Sequence, residues 1–258
     1  MSTLLDIRSV SKHFGGLTAV DELSFEVEQG GIVGLIGPNG AGKTTVFNLI
    51  TGQLAPSNGE MYFKGDSIAR VPPHHRVRMG MVRTFQSTVL YHDSTVLENV
   101  IRGFAGRESQ GFLGSIMSLA TITRDEAHLR RRALELLDVV ELADSRDETA
   151  RSLPYGHQRA LGVAIGLATE PELIMLDEPV AGMNPGETAQ MARLIQRINE
   201  QGTTILVVEH DMSFVMSLCR RVIVINNGRK IAEGEPSVIQ SDPEVVTAYL
   251  GKQDDDDA

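Results

Sequence analysis

The chain has 258 residues, 41% of them hydrophobic and 22% charged, which excludes a disordered protein. This length suggests either one α/β domain with an insertion or a domain of about 200 residues with an added lobe. With 24 basic and 34 acidic residues, the net charge of −10 argues against sequence-independent binding of nucleic acid. The single cysteine, Cys219, excludes an internal disulfide and a cysteine-based zinc site. Since the sequence contains neither a long apolar run nor a signal-peptide pattern, we expect a cytosolic protein.

The first quarter of the chain predicts a strand, a loop and a helix in succession. The β-branched run Ile32–Ile36 is typical of a buried strand, and a glycine-rich loop follows it. An apolar stripe predicts a helix over Thr44–Leu54. Alternation in Leu23–Glu28 and Glu60–Phe63 predicts antiparallel strands with one face in solvent.

The middle of the chain has few β-branched runs. Helical spacing over Arg124–Leu142 and Gly156–Leu167 predicts two helices. We therefore expect a mostly helical lobe over about residues 87–167, inserted into an α/β domain.

Strands return in the last third. Apolar runs predict strands at Leu173–Leu176, Thr203–Val208 and Arg221–Ile225, with a helix over Gly186–Asn199 between them. This strand–helix–strand succession favours parallel pairing. The acidic tail 251–258 is predicted to be disordered.

A phosphate-binding loop is the strongest single motif. Residues 37–44 match G-x-x-x-x-G-K-[ST], in which successive backbone N–H groups and the following helix N-terminus face an anion. Lys43 would reach the β- and γ-phosphates, and the Thr44 hydroxyl would bind Mg²⁺. The preceding strand and following helix favour this interpretation over a glycine-rich turn without a ligand. The predicted nucleotide-binding residues are Gly37, Pro38, Asn39, Gly40, Ala41, Gly42, Lys43, Thr44 and Thr45.

Two acids, Asp177 and Glu178, end the apolar run Leu173–Leu176. Ligands of α/β folds lie at the carboxyl ends of such strands. Asp177 would hold Mg²⁺, directly or through water, and Glu178 would polarise an attacking water as general base. Apolar strands that end in an acid are common, so this pair gains its functional meaning from the phosphate loop upstream.

Three further motifs follow in a defined order. They are Leu153–Arg159, Ala181–Pro185 and Glu209–Asp211. Together with the phosphate loop and the acidic pair, they resemble the ATP-binding cassette (ABC) family over about residues 4–250. The resemblance implies an α/β P-loop NTPase fold with an antiparallel β subdomain and an inserted α-helical subdomain. The α/β core would comprise about 4–86 and 168–250.

The resemblance also implies roles for single residues. Phe14 would stack on adenine, although a phenylalanine at a strand end is also common in a core. Gln86 resembles the hinge glutamine that contacts Mg²⁺ and the attacking water, and His210 the switch histidine at the γ-phosphate. The loop Ala181–Asn184 resembles the segment through which two subunits communicate. The implied catalytic residues are Glu178, His210, Gln86 and Lys43, and the implied metal ligands are Thr44, Gln86 and Asp177.

The signature motif, usually Leu-Ser-Gly-Gly-Gln, is altered in this chain. Pro154 and Tyr155 replace serine and the first glycine, His157 replaces glutamine, and Gly156 remains. A serine hydroxyl and one backbone N–H donor are thereby lost. The helix that opens near Gly156 still offers N–H groups, so Tyr155, Gly156 and His157 are expected at the ATP of a partner subunit.

Details of these motifs resemble the ATP-binding subunits of branched-chain amino acid importers, the LivG type. The resemblance rests on Phe14–Val20, Tyr155–Arg159, Ala181–Pro185, Val208–Met212 and Ala248–Gly251. It implies an ATPase with ATP and Mg²⁺ as cofactors, peripheral on the cytoplasmic face of the inner membrane. The implied partners are a second, distinct cassette, two transmembrane permease subunits and, indirectly, an extracytoplasmic substrate-binding protein, but no nucleic acid.

Several alternatives remain open from the sequence. The transported molecule could be urea, an amide or another amino acid, or the cassette could serve lipid export. A soluble ABC ATPase of translation or DNA repair usually has two cassettes or a long coiled coil, neither of which is seen here. A non-catalytic ATP-gated module is disfavoured by Glu178 and His210. The isolated chain could also form a homodimer.

Overall fold

A parallel sheet forms the centre of the protein. A computed structural model describes residues 2–84, 90–108 and 119–250. Within these residues the strands of this sheet are, in spatial order, β10 (Arg229–Gly234), β9 (Arg221–Asn226), β3 (Ile32–Ile36), β8 (Thr204–Val208), β7 (Leu173–Asp177) and β6 (Met81–Thr84). Neighbouring strands from β9 to β6 run parallel, and β10 pairs antiparallel with β9. The predicted parallel pairing is confirmed.

A second, antiparallel sheet covers one side of the molecule. It consists of β2 (Leu17–Glu28), β1 (Thr3–Phe14), β4 (Asn58–Phe63) and β5 (Asp66–Ser67), in this order. In β2 buried positions alternate with exposed or half-buried ones, as expected of a sheet with one face in the core. The predicted antiparallel strands around residues 23–28 and 60–63 are therefore confirmed.

Helices connect the parallel strands. They are α1 (Lys43–Thr51), α2 (Pro73–Arg78), α3 (Val96–Glu108), α4 (Leu119–Val139), α5 (Tyr155–Leu167), α6 (Pro185–Glu200), α7 (Met212–Leu218), α8 (Pro236–Ser241) and α9 (Pro243–Leu250). In the described part of the chain between β6 and β7, the regular elements are α3, α4, a 3-10 turn at Ala150–Ser152 and α5. Helix α3 packs against both α4 and α5.

Two predicted helices end earlier than expected, each for a local reason. Helix α1 stops at Thr51 because Gly52 adopts a left-handed conformation (φ 79°), and its N–H donates to the Leu49 carbonyl oxygen at 3.2 Å. Helix α4 stops at Val139, before Glu141 with its φ of 59°. Leu142 is buried although it lies beyond the end of the helix. Because it is apolar and continues the helical spacing, the predicted helix included it and was too long.

The parallel sheet separates two apolar clusters. On β3, Val33 and Leu35 face a cluster that includes α1 and the antiparallel sheet. Ile32 and Ile36 face the opposite cluster, which is formed with the connecting helices. Because both faces are covered, every residue of β3 is buried. Among the described residues, the structure contains no helix with the length and apolarity needed to span a membrane.

Candidate nucleotide-binding site

A cleft of about 500 Å³ opens at the carboxyl end of β3. Its size lies within the range of pockets that bind small molecules and cofactors. Most of the predicted phosphate loop and Glu178 contribute to its wall. The lining residues are Leu17, Thr18, Ala19, Asn39, Gly40, Ala41, Gly42, Lys43, Thr44, Thr45, Glu178, Asn227 and Gly228.

Two glycines of the loop are required by its packing. A Cβ atom at Gly37 would lie 2.1 Å from the Ile225 carbonyl oxygen, well inside van der Waals contact. At Gly42 it would lie 2.6 Å from the Ala19 carbonyl oxygen, and the φ of this residue is 104°. These close contacts hold the loop against β9 and the start of β2.

Lys43 begins α1, and its ammonium group lies inside the loop. The side chain is 8% exposed, and its Nζ donates to the carbonyl oxygens of Gly37 at 2.6 Å and Pro38 at 3.1 Å. The first turn of α1 contains no acidic residue, and no side chain caps the helix. This helix N-terminus therefore presents backbone N–H groups and the lysine charge without a competing carboxylate.

The turn between β9 and β10 supports the loop from behind. The Gly228 N–H donates to the Ala41 carbonyl oxygen at 2.9 Å, and the Gly228 carbonyl accepts from the Asp21 N–H at 2.9 Å. Asn227 and Gly228 also line the cleft. Residues near the end of the chain thus fix the shape of a loop near its beginning.

Asp177 ends β7 and is held by an arginine. Its carboxylate forms an ion pair with the Arg83 guanidinium on β6, and the two side chains are 6% and 4% exposed. Arg83 also donates to the Asn48 Oδ1 on α1 at 2.7 Å. The strand that carries Asp177 is therefore linked through Arg83 to the helix that carries Lys43.

Glu178 follows directly and faces the cleft. Its backbone has a φ of 49°, in the left-handed region that is unfavourable for a residue with a side chain. The Glu178 N–H donates to the Val208 carbonyl oxygen at 2.9 Å, which holds this conformation. Strained residues of this kind concentrate at functional sites. As a result, the Glu178 side chain is exposed while Asp177 is buried.

Glu209 links the loops after β7 and β8. Its side chain is fully buried, and Oε1 accepts from the Val180 N–H at 3.0 Å while Oε2 accepts from the His210 N–H at 3.0 Å. The Nδ1 of His210 lies 3.6 Å from Oε2, and the His210 side chain is 58% exposed. The Glu209 carboxylate thus holds the backbone of the loop after β7 and the backbone of the loop after β8.

Neither Arg83 nor Glu209 is given a role by the sequence, although Glu209 opens the motif Glu209–Asp211. An acid directly after the apolar strand β8 repeats the pattern of Asp177 after β7, and this pattern is a signal for Glu209 itself. The signal for Arg83 in the sequence is weaker. It is the one charged residue of β6, whose other residues are methionine, valine and threonine.

Phe14 lies at the end of β1, beside the cleft rather than in its lining. It pairs with Leu17, which does line the cleft, and its ring is 45% exposed. The Lys12 Nζ lies 5.1 Å from the centre of the ring. An exposed aromatic face next to the phosphate loop is compatible with base stacking. Gln86 lies outside the described residues.

The altered signature motif meets a different part of the chain. Tyr155, Gly156 and His157 begin α5 and are not among the described residues that line the cleft. The Tyr155 hydroxyl lies 3.3 Å from the Ala181 carbonyl oxygen, and a Cβ on Gly156 would lie 3.1 Å from Oε1 of Glu187. The structure thus brings the signature together with the loop after β7, and not with Lys43 of the same chain.

The donor set at the strand ends fits Mg²⁺. The Thr44 hydroxyl is exposed in the cleft, and the Asp177 carboxylate lies at the end of β7. Hydroxyl and carboxylate oxygens are ligands that Mg²⁺ prefers, and the ion usually completes its shell with phosphate oxygens and water. Two protein oxygens beside a phosphate loop therefore suit an ion that enters together with a nucleotide.

Comparison with known proteins gives a consistent family. The ABC transporter family pattern matches residues 20–181, and the pattern described as branched-chain amino acid ATP-binding cassette transporter matches residues 229–255. The chain is 39% identical over 250 residues to the high-affinity branched-chain amino acid transport ATP-binding protein BraF of Pseudomonas aeruginosa. It is 40% identical over 250 residues to the corresponding protein LivG of Salmonella typhimurium, and each alignment covers 96% of this chain and 98% of the relative.

Solved structures agree with this assignment. The ADP conformation of MJ1267, an ATP-binding cassette of an ABC transporter, superposes with a TM-score of 0.85 and 30% sequence identity. That superposition covers 98% of this chain and 100% of the other. A nucleotide-free ATP-binding cassette from an ABC transporter gives a TM-score of 0.81 at 30% identity. The chain therefore belongs to the ABC transporter family and is one of its ATP-binding, ATP-hydrolysing cassettes.

Proposed function

We propose that this cassette powers the uptake of branched-chain or related amino acids across the inner membrane. The carrying observation is the cleft at the strand ends, which gathers Lys43, Thr44 and Glu178 at one edge of the sheet. The proposed substrate class is supported by the pattern at residues 229–255 and by the names of the relatives BraF and LivG.

The proposed partners follow from the same similarity to BraF and LivG. The cassette pairs with a second, distinct cassette and binds two permease subunits at the cytoplasmic face of the membrane. A substrate-binding protein on the other side delivers the amino acid. Tyr91, which is 52% exposed, is the proposed contact for the permease. Most of the neighbouring segment Thr95–Val100 is buried, so only Thr95 and the exposed Glu98 could add to this contact.

The proposed chemistry uses the residues of the cleft in fixed roles. The loop N–H groups and Lys43 bind the β- and γ-phosphates, while Thr44 and Asp177 hold Mg²⁺ with Gln86. When bound, Mg²⁺ supplies positive charge to the phosphate oxygens. Glu178 accepts a proton from water as the water oxygen bonds to the γ-phosphorus. The bond from that phosphorus to the β–γ bridging oxygen breaks, and ADP and phosphate result.

Two cassettes would share two ATP molecules. Tyr155, Gly156 and His157 of one chain would face the phosphates of the ATP bound by the other chain. His210 would contact the γ-phosphate of the ATP bound by its own chain. Loss of that phosphate removes contacts that favour the closed dimer, so hydrolysis would reopen it.

Purification with the membrane partners, followed by reconstitution in lipid vesicles, tests this function. With ATP inside and the binding protein outside, radiolabelled leucine should accumulate in a Mg²⁺-dependent manner. Uptake of urea or a short amide instead of leucine would show that the proposed substrate class is wrong. ATP-driven efflux of lipid would show that the transporter is not an importer. Copurification with ribosomes or DNA-repair proteins, without a permease, would overturn the transport role.

A further inference from the structure

The ion pair between Arg83 and Asp177 is buried beside the proposed magnesium site. Both side chains are almost fully removed from solvent, at 4% and 6% exposure. The residues belong to neighbouring parallel strands, and the register of β6 and β7 places Thr84 opposite Leu176, next to Asp177. A carboxylate buried to this extent needs a positive partner, because removing it from water is otherwise costly. Arg83 is that partner in this structure.

Further contacts fix the Arg83 side chain in place. Its Nη1 donates to the Asn48 Oδ1 at 2.7 Å, and its guanidinium carbon lies 5.7 Å from the centre of the Phe47 ring. Asn48 and Phe47 belong to α1, the helix that begins with Lys43 and Thr44. The guanidinium is therefore held by β7 and by the phosphate-loop helix at once.

We propose that Arg83 is a positioning residue that acts as a built-in counter-charge to Asp177 and competes with Mg²⁺ for it. The proposal rests on the proposed function, in which Asp177 holds Mg²⁺. Without the ion, Arg83 neutralises and orients the carboxylate. With the ion, two cations share one carboxylate and repel each other across a poorly hydrated space. Arg83 thus stabilises the metal-free cassette and lowers its affinity for Mg²⁺ with nucleotide.

Substitution of Arg83 by methionine tests the competition. The affinity for ADP is measured by calorimetry with Mg²⁺ and with EDTA, and thermal unfolding is recorded in both conditions. Arg83→Met should unfold at a lower temperature in EDTA, since Asp177 loses its partner. The gain in ADP affinity on adding Mg²⁺ should become about tenfold larger than in the wild type, because the repulsion is removed.

Three control variants separate charge from packing. Arg70→Met removes an exposed arginine and should leave the Mg²⁺ dependence unchanged. Arg83→Lys keeps the positive charge, so its Mg²⁺ dependence should stay close to that of the wild type. Because Asp177 keeps a cationic partner in Arg83→Lys, this variant replaces Arg83→Met in the test if Arg83→Met does not fold. The double variant Arg83→Met with Asp177→Asn removes both charges. It should recover thermal stability relative to Arg83→Met and lose the enlarged Mg²⁺ effect.

Three different results would overturn the proposal. A Mg²⁺ dependence of Arg83→Met that equals or falls below that of the wild type would mean that Arg83 only supports the fold. If Arg83→Met does not fold, a Mg²⁺ dependence of Arg83→Lys enlarged as much as expected for loss of the charge would exclude charge competition. If Asp177→Asn alone leaves the wild-type Mg²⁺ dependence intact, Asp177 does not hold the ion. This third result would also refute the proposed role of Asp177 as a Mg²⁺ ligand, whereas the first two results would not affect that role.

Discussion

The hydroxyl of Tyr155 donates to the Ala181 carbonyl oxygen at 3.3 Å and accepts from the Arg159 guanidinium at 2.9 and 2.7 Å. Tyr155 begins α5, and Ala181 lies three residues after Glu178, whose carbonyl accepts from the Ala181 N–H. One phenol therefore joins the start of the signature helix to the loop that follows the proposed general base. A usual signature motif, with glycine at this position, has no side chain that could make this link.

Removing that phenolic oxygen should loosen the loop. In Tyr155→Phe we expect faster hydrogen exchange at the Met183 amide, which bonds to the Val180 carbonyl in the loop. The stability should fall by about 1 kcal/mol or less, since Tyr155 is half exposed. Tyr62→Phe is a matched control, because Tyr62 bonds to Glu60 within its own strand. Unchanged exchange at Met183 would show that the link does not order the loop.

Lys43 should contribute strongly to nucleotide affinity. Lys43→Ala removes a charged hydrogen bond to phosphate, so we expect ATP and ADP to bind about 10 to 150 times more weakly, as calorimetry would measure. Lys64→Ala removes a lysine that is exposed and paired with Glu172, and should bind as the wild type does. Equal affinities for the two variants would argue against a phosphate role for Lys43.

Glu178 should be needed for turnover and not for binding. Glu178→Gln keeps the size of the side chain but removes the base, so the rate of ATP hydrolysis in the assembled complex should fall about a hundredfold or more. The affinity for ATP should remain. Glu141→Gln, at an exposed carboxylate paired with Arg197, is the control. Full activity in Glu178→Gln would require another general base.

The close packing of Gly37 leads to a separate prediction. In Gly37→Ala the added methyl group would collide with the Ile225 carbonyl oxygen at 2.1 Å, so the loop must move away from β9. We expect at least a tenfold loss of ADP affinity, measured by calorimetry, in a protein that still folds. Gly16→Ala is the control, because its Cβ would meet no atom within 4 Å and Gly16 does not have a left-handed backbone conformation. The reverse order of the two variants would contradict the described loop.

Cys219 should make the protein less stable in alkali. Burial raises the pKa of the Cys219 thiol from 9.0 to about 12. Above pH 9 the unfolded thiol loses its proton while the folded thiol keeps it, so this contribution to stability is complete below pH 9 and declines towards pH 12. The slope for one proton is about 1.4 kcal/mol per pH unit. Urea unfolding between pH 8.5 and 10.5 should show a steeper decline in the wild type than in Cys219→Ala, and parallel curves would contradict the prediction.

The sequence predicted those features that repeat a local pattern. The apolar runs mark the fully buried strands β3, β7 and β8 and the buried centre of β9, and the phosphate loop has a fixed spacing of residues. The long strand β1 was not predicted, because its alternation is interrupted where Ser9 has a φ of 46° and the register shifts between Ile7 and Val10. Such an irregularity depends on the partner strands rather than on the local sequence.

Contacts between distant segments could not be predicted in the same way. Arg76 is 1% exposed, and burial lowers its pKa to about 10. Its guanidinium donates to backbone carbonyls at Leu49, Ile50, Ile68 and Val71. By composition alone, an arginine is expected at the surface. As with the Arg83–Asp177 pair, the sequence does not indicate this arrangement, because only the folded chain brings α1 and the segment before α2 around one side chain.

The position of β3 constrains when the protein can first bind nucleotide during its synthesis. The strand before the phosphate loop has β8 and β9 as neighbours, and the loop itself is bonded to Gly228. All three partners are made more than 160 residues after β3. A growing chain therefore holds its complete phosphate-loop sequence long before it has the walls of the site. The ribosome must release nearly the whole cassette before ATP finds a formed pocket, which postpones any nucleotide-driven assembly until translation is almost finished.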